Sequence, residues 1–126
     1  MADALAFPIE NIPDADSVFM RAHRGYIRDG DIMTGVFKEQ DGGMSVDWDK
    51  YASPKDTKAR AKTPADNAVL SLPVAGIRAI GDLDVKHTPE PTNRAHSEVD
   101  LPDDREELAE VRVLLRRLAA VVVPLG

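Results

Sequence analysis

Residues 17–23 read Ser-Val-Phe-Met-Arg-Ala-His, and this stretch decides how the rest of the chain is interpreted. Successive side chains of a β-strand point to opposite faces of a sheet. The Val, Met and Ala of this stretch therefore share one face, while Arg21 and His23 lie on the other. The alternation predicts a strand with an apolar side for a core and a polar side that carries two ionisable groups.

Further strands and helices are predicted on either side of this strand. The run at 68–74 is almost continuously apolar, which indicates a strand buried on both faces. A helix is expected to begin at Pro54, because Ser53 suits the N-cap and proline the first helical position. It would be polar and solvent-facing over residues 57–62. Other strands are expected at 31–37, 44–48, 83–87 and 121–123, the last of them central, with a turn at 40–43 and a turn or short helix at 75–80.

The helix at 103–118 has the clearest pattern, because leucine and valine recur at helical spacing. Its first turn is acidic and its last turn basic, which complements the helix dipole, and Asp103 with Glu106 resembles a capping box. Residues 1–13 are predicted to be an irregular lead-in, and residues 88–102, with three prolines, a long loop. The order of elements predicts one domain over 1–126 of the α+β class: a compact mixed or antiparallel sheet of short strands with two main helices packed on it.

Composition narrows the classes of function. The chain has 126 residues and no cysteine, which excludes disulfides and thiolate metal sites and fits a reducing, cytoplasmic location. The N-terminus lacks the pattern of a signal peptide. The longest apolar stretch is eight residues, at 118–125, whereas a membrane helix needs roughly 20, so no membrane association is expected. The net charge of −6 disfavours nucleic acid as a partner.

Three groups of polar residues are candidates for a site. On the first strand, Arg21 and His23, with Arg24 beside them, would bind a phosphate or carboxylate through a guanidinium fork and an imidazole. The alternative is a sheet face of solvated charges. On the strand at 44–48, Ser45 and Asp47 share a face and would orient a ligand hydroxyl. The alternative there is that Asp47 caps a turn while Trp48 is the main aromatic residue of the core.

The third group is His87, Asn93 and His96 in the proline-rich loop. The spacing of the histidines does not match a standard zinc site, so no metal is expected, and a polar loop beside a pocket is the preferred interpretation. Asn93 and His96 would lie on one face of a helical turn, unless Asn93 is a simple turn residue. The acidic run at 98–107 lacks the EF-hand pattern and indicates a solvated helix start.

The first strand with its Arg and His, followed by Gly30, Gly43-Met44-Ser45, a polar helix and the strand at 68–74, resembles small bacterial domains of the ADP-ribosyltransferase-like superfold. This superfold includes the RES-type and RNA 2′-phosphotransferase-type members. The resemblance implies a nucleotide pocket lined by Arg21, His23 and Ser45, with NAD as a possible cofactor or substrate. The late-strand glutamate of such transferases has no clear counterpart, because Glu90 and Glu98 fall in the predicted loop.

These observations predict a nucleotide- or anionic-small-molecule-binding domain. Arg21 would clamp the anion, assisted by Arg24, Asp47, Asn93 and His96. If the domain is an enzyme, His23 and Ser45 are the expected catalytic residues, in glycosyl or phosphoryl chemistry. The alternative is a non-catalytic interaction module, such as an immunity, antitoxin or defence-system adaptor domain, whose acidic surface would attract a basic protein partner.

Overall fold

The fold is seen in a computed structural model that describes residues 7–39 and 43–125. Within these ranges the strands are β1 (Ser17–His23), β2 (Ile27–Arg28), β3 (Asp31–Ile32), β4 (Met44–Trp48), β5 (Asn67–Pro73), β6 (Val85–His87), β7 (His96–Val99) and β8 (Ala120–Val123). The helices are α1 (Pro54–Ala59), α2 (Val74–Arg78) and α3 (Arg105–Leu118). Six strands form one antiparallel sheet in the order β6-β7-β4-β1-β5-β8, and β2 with β3 forms a small ribbon. The predicted α+β class is confirmed.

One face of the sheet builds the core. β1 has the predicted bounds, and its Val18 and Met20 are buried beside their β5 partners Leu72 and Leu70. Helices α2 and α3 pack on β5 and on each other, and the apolar stripe of α3 buries Val111 there. The strand alternation and the helix stripe predicted from the sequence thus meet in a single buried cluster.

Helix α1 contacts β1, β5 and β8. Ser53 is its N-cap as expected: the Ser53 hydroxyl accepts a hydrogen bond from the Asp56 amide, and the Asp56 carboxylate accepts one from the Ser53 amide. The helix is shorter than predicted, and it is not solvent-facing along its whole length. Thr57 is buried, because one side of this polar helix packs on the sheet.

The prediction of a loop over residues 88–102 is wrong in part, because β7 lies within it. β7 pairs with β4 on one side and with β6 on the other, so it is an internal strand of the sheet. The strand was not recognised because it alternates polar with small or apolar residues, with the polar Ser97 buried. The three prolines of residues 88–102 flank β7 and do not interrupt its backbone hydrogen bonds.

Two predictions at the C-terminal end are also wrong. β8 is an edge strand and not a central one, and its Val121 and Val122 are 49% and 43% exposed. The residue that caps α3 is Asp104, whose carboxylate accepts a hydrogen bond from the Glu107 amide at 2.9 Å. Asp103 precedes the cap, so the capping box proposed for it does not form.

The remaining segments are short or irregular. Of residues 31–37, only β3 is extended; a single 3-10 turn follows at Thr34–Val36. Residues 7–13 of the lead-in have no regular structure, although Ile12 is buried, and residues 1–6 lie outside the described part of the chain. Residues 40–42 of the predicted turn also lie outside it. None of the helices in the described ranges is long and apolar enough to cross a bilayer.

Candidate functional site

A cavity of about 510 Å³ lies where β1 and β4 separate. The ladder between these strands consists of two residue pairs, Val18 with Trp48 and Phe19 with Asp47. Beyond the second pair, the cavity is lined from both strands, by Met20 and Arg21 of β1 and by residues 44–46 of β4. A cavity of this volume lies in the range that accommodates a small organic ligand.

The cavity has two walls of different origin. The first wall is formed by β1 and by α1 with the residue that follows it. The second is formed by β4, β7 and the segment that precedes β7, while a further two residues come from the segment before β4. Besides Met20, Arg21 and residues 44–46, the lining residues are Phe19, Val36, Lys38, Asp47, Thr57, Arg60, Glu90, Thr92, Asn93, His96 and Glu98.

Five of the seven predicted site residues line this cavity. Arg21 comes from β1, Ser45 and Asp47 from β4, and Asn93 and His96 from the segment before β7 and its first residue. These residues are far apart in the sequence, and the antiparallel order β7-β4-β1 brings them to one face of the sheet.

The structure does not bring His23 and Arg24 to the cavity. β1 ends at His23, where the chain enters a 3-10 turn, and the Nδ1 atom of His23 accepts a hydrogen bond from the Gly25 amide at 3.0 Å. Arg24 has a side chain that is 68% exposed and lies 3.4 Å from an Asp66 carboxylate oxygen. The expectation that Arg21 and His23 aim into a shared cavity is therefore wrong for His23, because its ring turns back to the Gly25 amide and does not line the cavity.

Asp47 is the buried centre of the site. One of its carboxylate oxygens accepts hydrogen bonds from the Thr57 hydroxyl at 2.7 Å and from an Arg60 guanidinium nitrogen at 3.1 Å. The other accepts a hydrogen bond from the Asn93 side-chain amide at 2.8 Å. A buried carboxylate needs such partners to remain charged. Asp47 therefore joins the two walls and does not cap a turn. Trp48 is buried in the core, as the alternative interpretation of this strand predicts.

His96 presents one ring nitrogen to a fixed partner. Its Nδ1 atom lies 2.9 Å from the Thr88 carbonyl oxygen and 3.0 Å from the Thr88 hydroxyl. A carbonyl oxygen only accepts hydrogen bonds, so this geometry assigns the proton of the neutral ring to Nδ1. Nε2 then carries a lone pair, and it has no hydrogen-bond partner among residues 7–39 and 43–125.

Arg21 is the cation of the first wall. Its Nη1 atom donates a hydrogen bond to the Thr57 carbonyl at 3.1 Å, which fixes the guanidinium against α1. Within the described ranges it forms no ion pair. Arg60, in contrast, is committed to Asp47. Because a guanidinium has five N–H donors, Arg21 retains donors for a ligand.

His87, the third member of the loop group, has a structural role outside the cavity. It is buried, its Nδ1 accepts a hydrogen bond from the Glu10 amide at 3.0 Å, and its Nε2 donates to the Arg94 carbonyl at 2.7 Å. Its ring packs edge-on against Trp48. The neighbouring lead-in is held by Glu10, whose carboxylate accepts hydrogen bonds from Lys50 and Tyr51. These hydrogen bonds lower the pKa of the Glu10 carboxyl.

Sequence reasoning missed several lining residues. Thr57 and Arg60 were assigned to a solvated helix, although a spacing of three places them on one helical face, which was an available signal. Glu98 shares a strand face with His96, but the sequence predicts a loop at residues 88–102 and therefore no common face for these two side chains. Glu90, Thr92 and Lys38 lie in irregular segments, where no sequence period indicates a direction.

No cluster of three or more histidine, aspartate or glutamate side chains with metal-site geometry occurs in the part of the chain that the structure describes. The one buried carboxylate of the cavity, Asp47, already has three protein donors. What the described lining offers chemically is two guanidinium groups, an ammonium, an imidazole, an amide, three hydroxyls and three carboxylates around a polar space.

Comparison with known proteins returns no relatives: no protein-family model, curated protein or solved structure matches this chain.

Proposed function

We propose that the cavity binds an anionic small molecule of about nucleotide size, with the guanidinium of Arg21 as the anion clamp. The observation that carries this proposal is the contrast between the two arginines of the cavity. The charge of Arg60 is neutralised by Asp47 at 3.1 Å, whereas Arg21 forms, within residues 7–39 and 43–125, a single hydrogen bond, to a neutral carbonyl.

The surroundings of Arg21 support an anion at this position. Of the three carboxylates that line the described cavity, Asp47 is occupied by three donors and adds little repulsion. Lys38 also lines the cavity, where its ammonium is held by the Tyr26 hydroxyl at 2.7 Å. Guanidinium groups bind phosphate and carboxylate through paired, charge-assisted hydrogen bonds, which are stronger than neutral ones.

Catalysis on NAD is a narrower proposal that depends on the resemblance to ADP-ribosyltransferase-like domains. Arg21 and Ser45 lie at the cavity, which favours it, while the position of His23 does not. Of the cavity residues, His96 is the one whose free ring nitrogen suits the role first assigned to His23. Release of nicotinamide from NAD by the purified protein is the assay for this activity.

The test is isothermal titration calorimetry with pyrophosphate, AMP, ADP-ribose and NAD at up to millimolar concentration. We expect at least one of these compounds to bind, and Arg21→Gln to weaken its binding about tenfold or more, since one charge-assisted contact is worth roughly 1.4 kcal/mol or more. Arg24→Gln is the matched control, because it removes the same charge outside the cavity.

Two results would overturn the proposal. One is the absence of binding for all four compounds at millimolar concentration. The other is equal weakening by Arg21→Gln and Arg24→Gln, which would indicate a general effect of net charge and no clamp. Either result would leave the interaction module with a basic protein partner as the remaining prediction.

A further inference from the structure

We propose that the anion bound at Arg21 belongs to a hydroxyl-bearing ligand, a sugar phosphate or nucleotide, whose hydroxyl groups donate hydrogen bonds to His96 and Glu98. This inference rests on the proposed function and names the class of ligand that the same cavity selects. It depends on the wall opposite Arg21, which presents hydrogen-bond acceptors where the first wall presents donors.

The first acceptor is Nε2 of His96. The two oxygens of Thr88, at 2.9 and 3.0 Å, hold the ring by its Nδ1 atom, so the ring cannot turn freely to present an N–H to the cavity. In the neutral ring, Nε2 is then an acceptor. A ligand that covers it without donating a hydrogen bond leaves a desolvated acceptor unpaired, which weakens its binding.

The second acceptor is the carboxylate of Glu98. Glu98 is half-buried, lines the cavity and forms no ion pair among the residues that the structure describes. It shares a strand face with His96, roughly 7 Å along β7, because side chains two residues apart point the same way. Gly43 leaves room for it: a Cβ atom at position 43 would lie 3.1 Å from the Glu98 Cβ and 3.5 Å from its carboxyl carbon.

The two walls together discriminate between anions. A bare phosphate or pyrophosphate that filled the cavity would satisfy Arg21 but would bring negative charge towards Glu98 and offer His96 no stable donor. A phosphate ester with free hydroxyls satisfies both walls, with its phosphate at Arg21 and its hydroxyls at His96 and Glu98. Ser45, on β4 beside β7, is either a donor or an acceptor for the same ligand.

The experiment compares three compounds by calorimetry on the full chain: AMP, 2′,3′-dideoxy-AMP and pyrophosphate. AMP and its dideoxy analogue differ only in the two ribose hydroxyls. We expect AMP to bind about tenfold or more tightly than either of the others. In Glu98→Ala the difference between AMP and dideoxy-AMP should shrink to about threefold or less, and Glu110→Ala, an exposed change on α3, should preserve it.

The outcomes separate this inference from the proposed function. Dideoxy-AMP or pyrophosphate that binds as tightly as AMP would overturn the hydroxyl requirement and leave the anion clamp intact. If none of the three compounds binds, this inference fails, while the anion clamp fails only if ADP-ribose and NAD do not bind either. The comparison of ligands on the unmodified protein does not depend on whether Glu98→Ala folds.

Discussion

The two faces of the central sheet are built by the same strands but have opposite character. On the core face, Val18, Leu70 and Leu72 are fully buried and covered by α2 and α3. On the other face, Arg21 and His96 border an open polar cavity. Because side chains alternate along each strand, the polar residues of β7, β4 and β1 lie on the cavity face and most of the apolar ones on the core face. Where β1 and β4 separate, the core residues Met20, Met44 and Val46 border the cavity as well.

This contrast shows why the site lies where it does. A core face can close only if its strands stay paired and its apolar groups interdigitate. The cavity forms where β1 and β4 pair over two positions and then separate, so polar side chains from both strands meet around a space. Asp47 lies at the boundary: it is as buried as a core residue but is bonded to polar partners from both walls.

The largest expected effect comes from opening a void in the core face. Leu70→Ala should lower the free energy of unfolding by about 2–5 kcal/mol, because Leu70 is fully buried on β5, between β1 and β8. Urea denaturation followed by circular dichroism measures the change. Val122→Ala on the exposed edge strand β8 is the control and should lose well under half as much. Equal losses would show that the Val122 side chain is buried, in contradiction to its exposure among the described residues.

A smaller effect is expected where the two faces meet. Asp47→Ala should lower the free energy of unfolding by about 1–3 kcal/mol, because the buried donors of Thr57 and Asn93 lose their acceptor. Asp47→Asn keeps an acceptor oxygen and should lose less. Denaturation curves of both variants that coincide with the wild type would show that this carboxylate does not hold the walls together.

The smallest effect is expected at the start of α1, which carries Thr57 and precedes Arg60. Ser53→Ala removes the N-cap acceptor and should lower the free energy of unfolding by about 1 kcal/mol, measured by thermal denaturation. Ser53→Asp provides another capping oxygen and should restore most of this loss. If Ser53→Asp is as unstable as Ser53→Ala, the cap is not the reason for the loss.

Local chemistry allowed much of the fold to be predicted. The bounds of β1 and β4, the cap of α1 and the stripe of α3 follow from periodicity and from the geometry of proline and serine at a helix start. The class of fold followed from their order. β7 could not be predicted, because its buried face carries Ser97 and its exposed face carries His96 and Glu98, so no apolar alternation marks it as a strand.

By itself, the sequence determined which side of each strand is apolar, and so it separated core residues such as Val18 from candidate site residues such as Arg21. Only the tertiary structure decided which candidates meet. The order of strands set His96 two strands away from β1, and the end of β1 turned His23 outward. Strand pairing between distant segments governs these outcomes, and the periodicity of a single segment carries no information about its neighbours in the sheet.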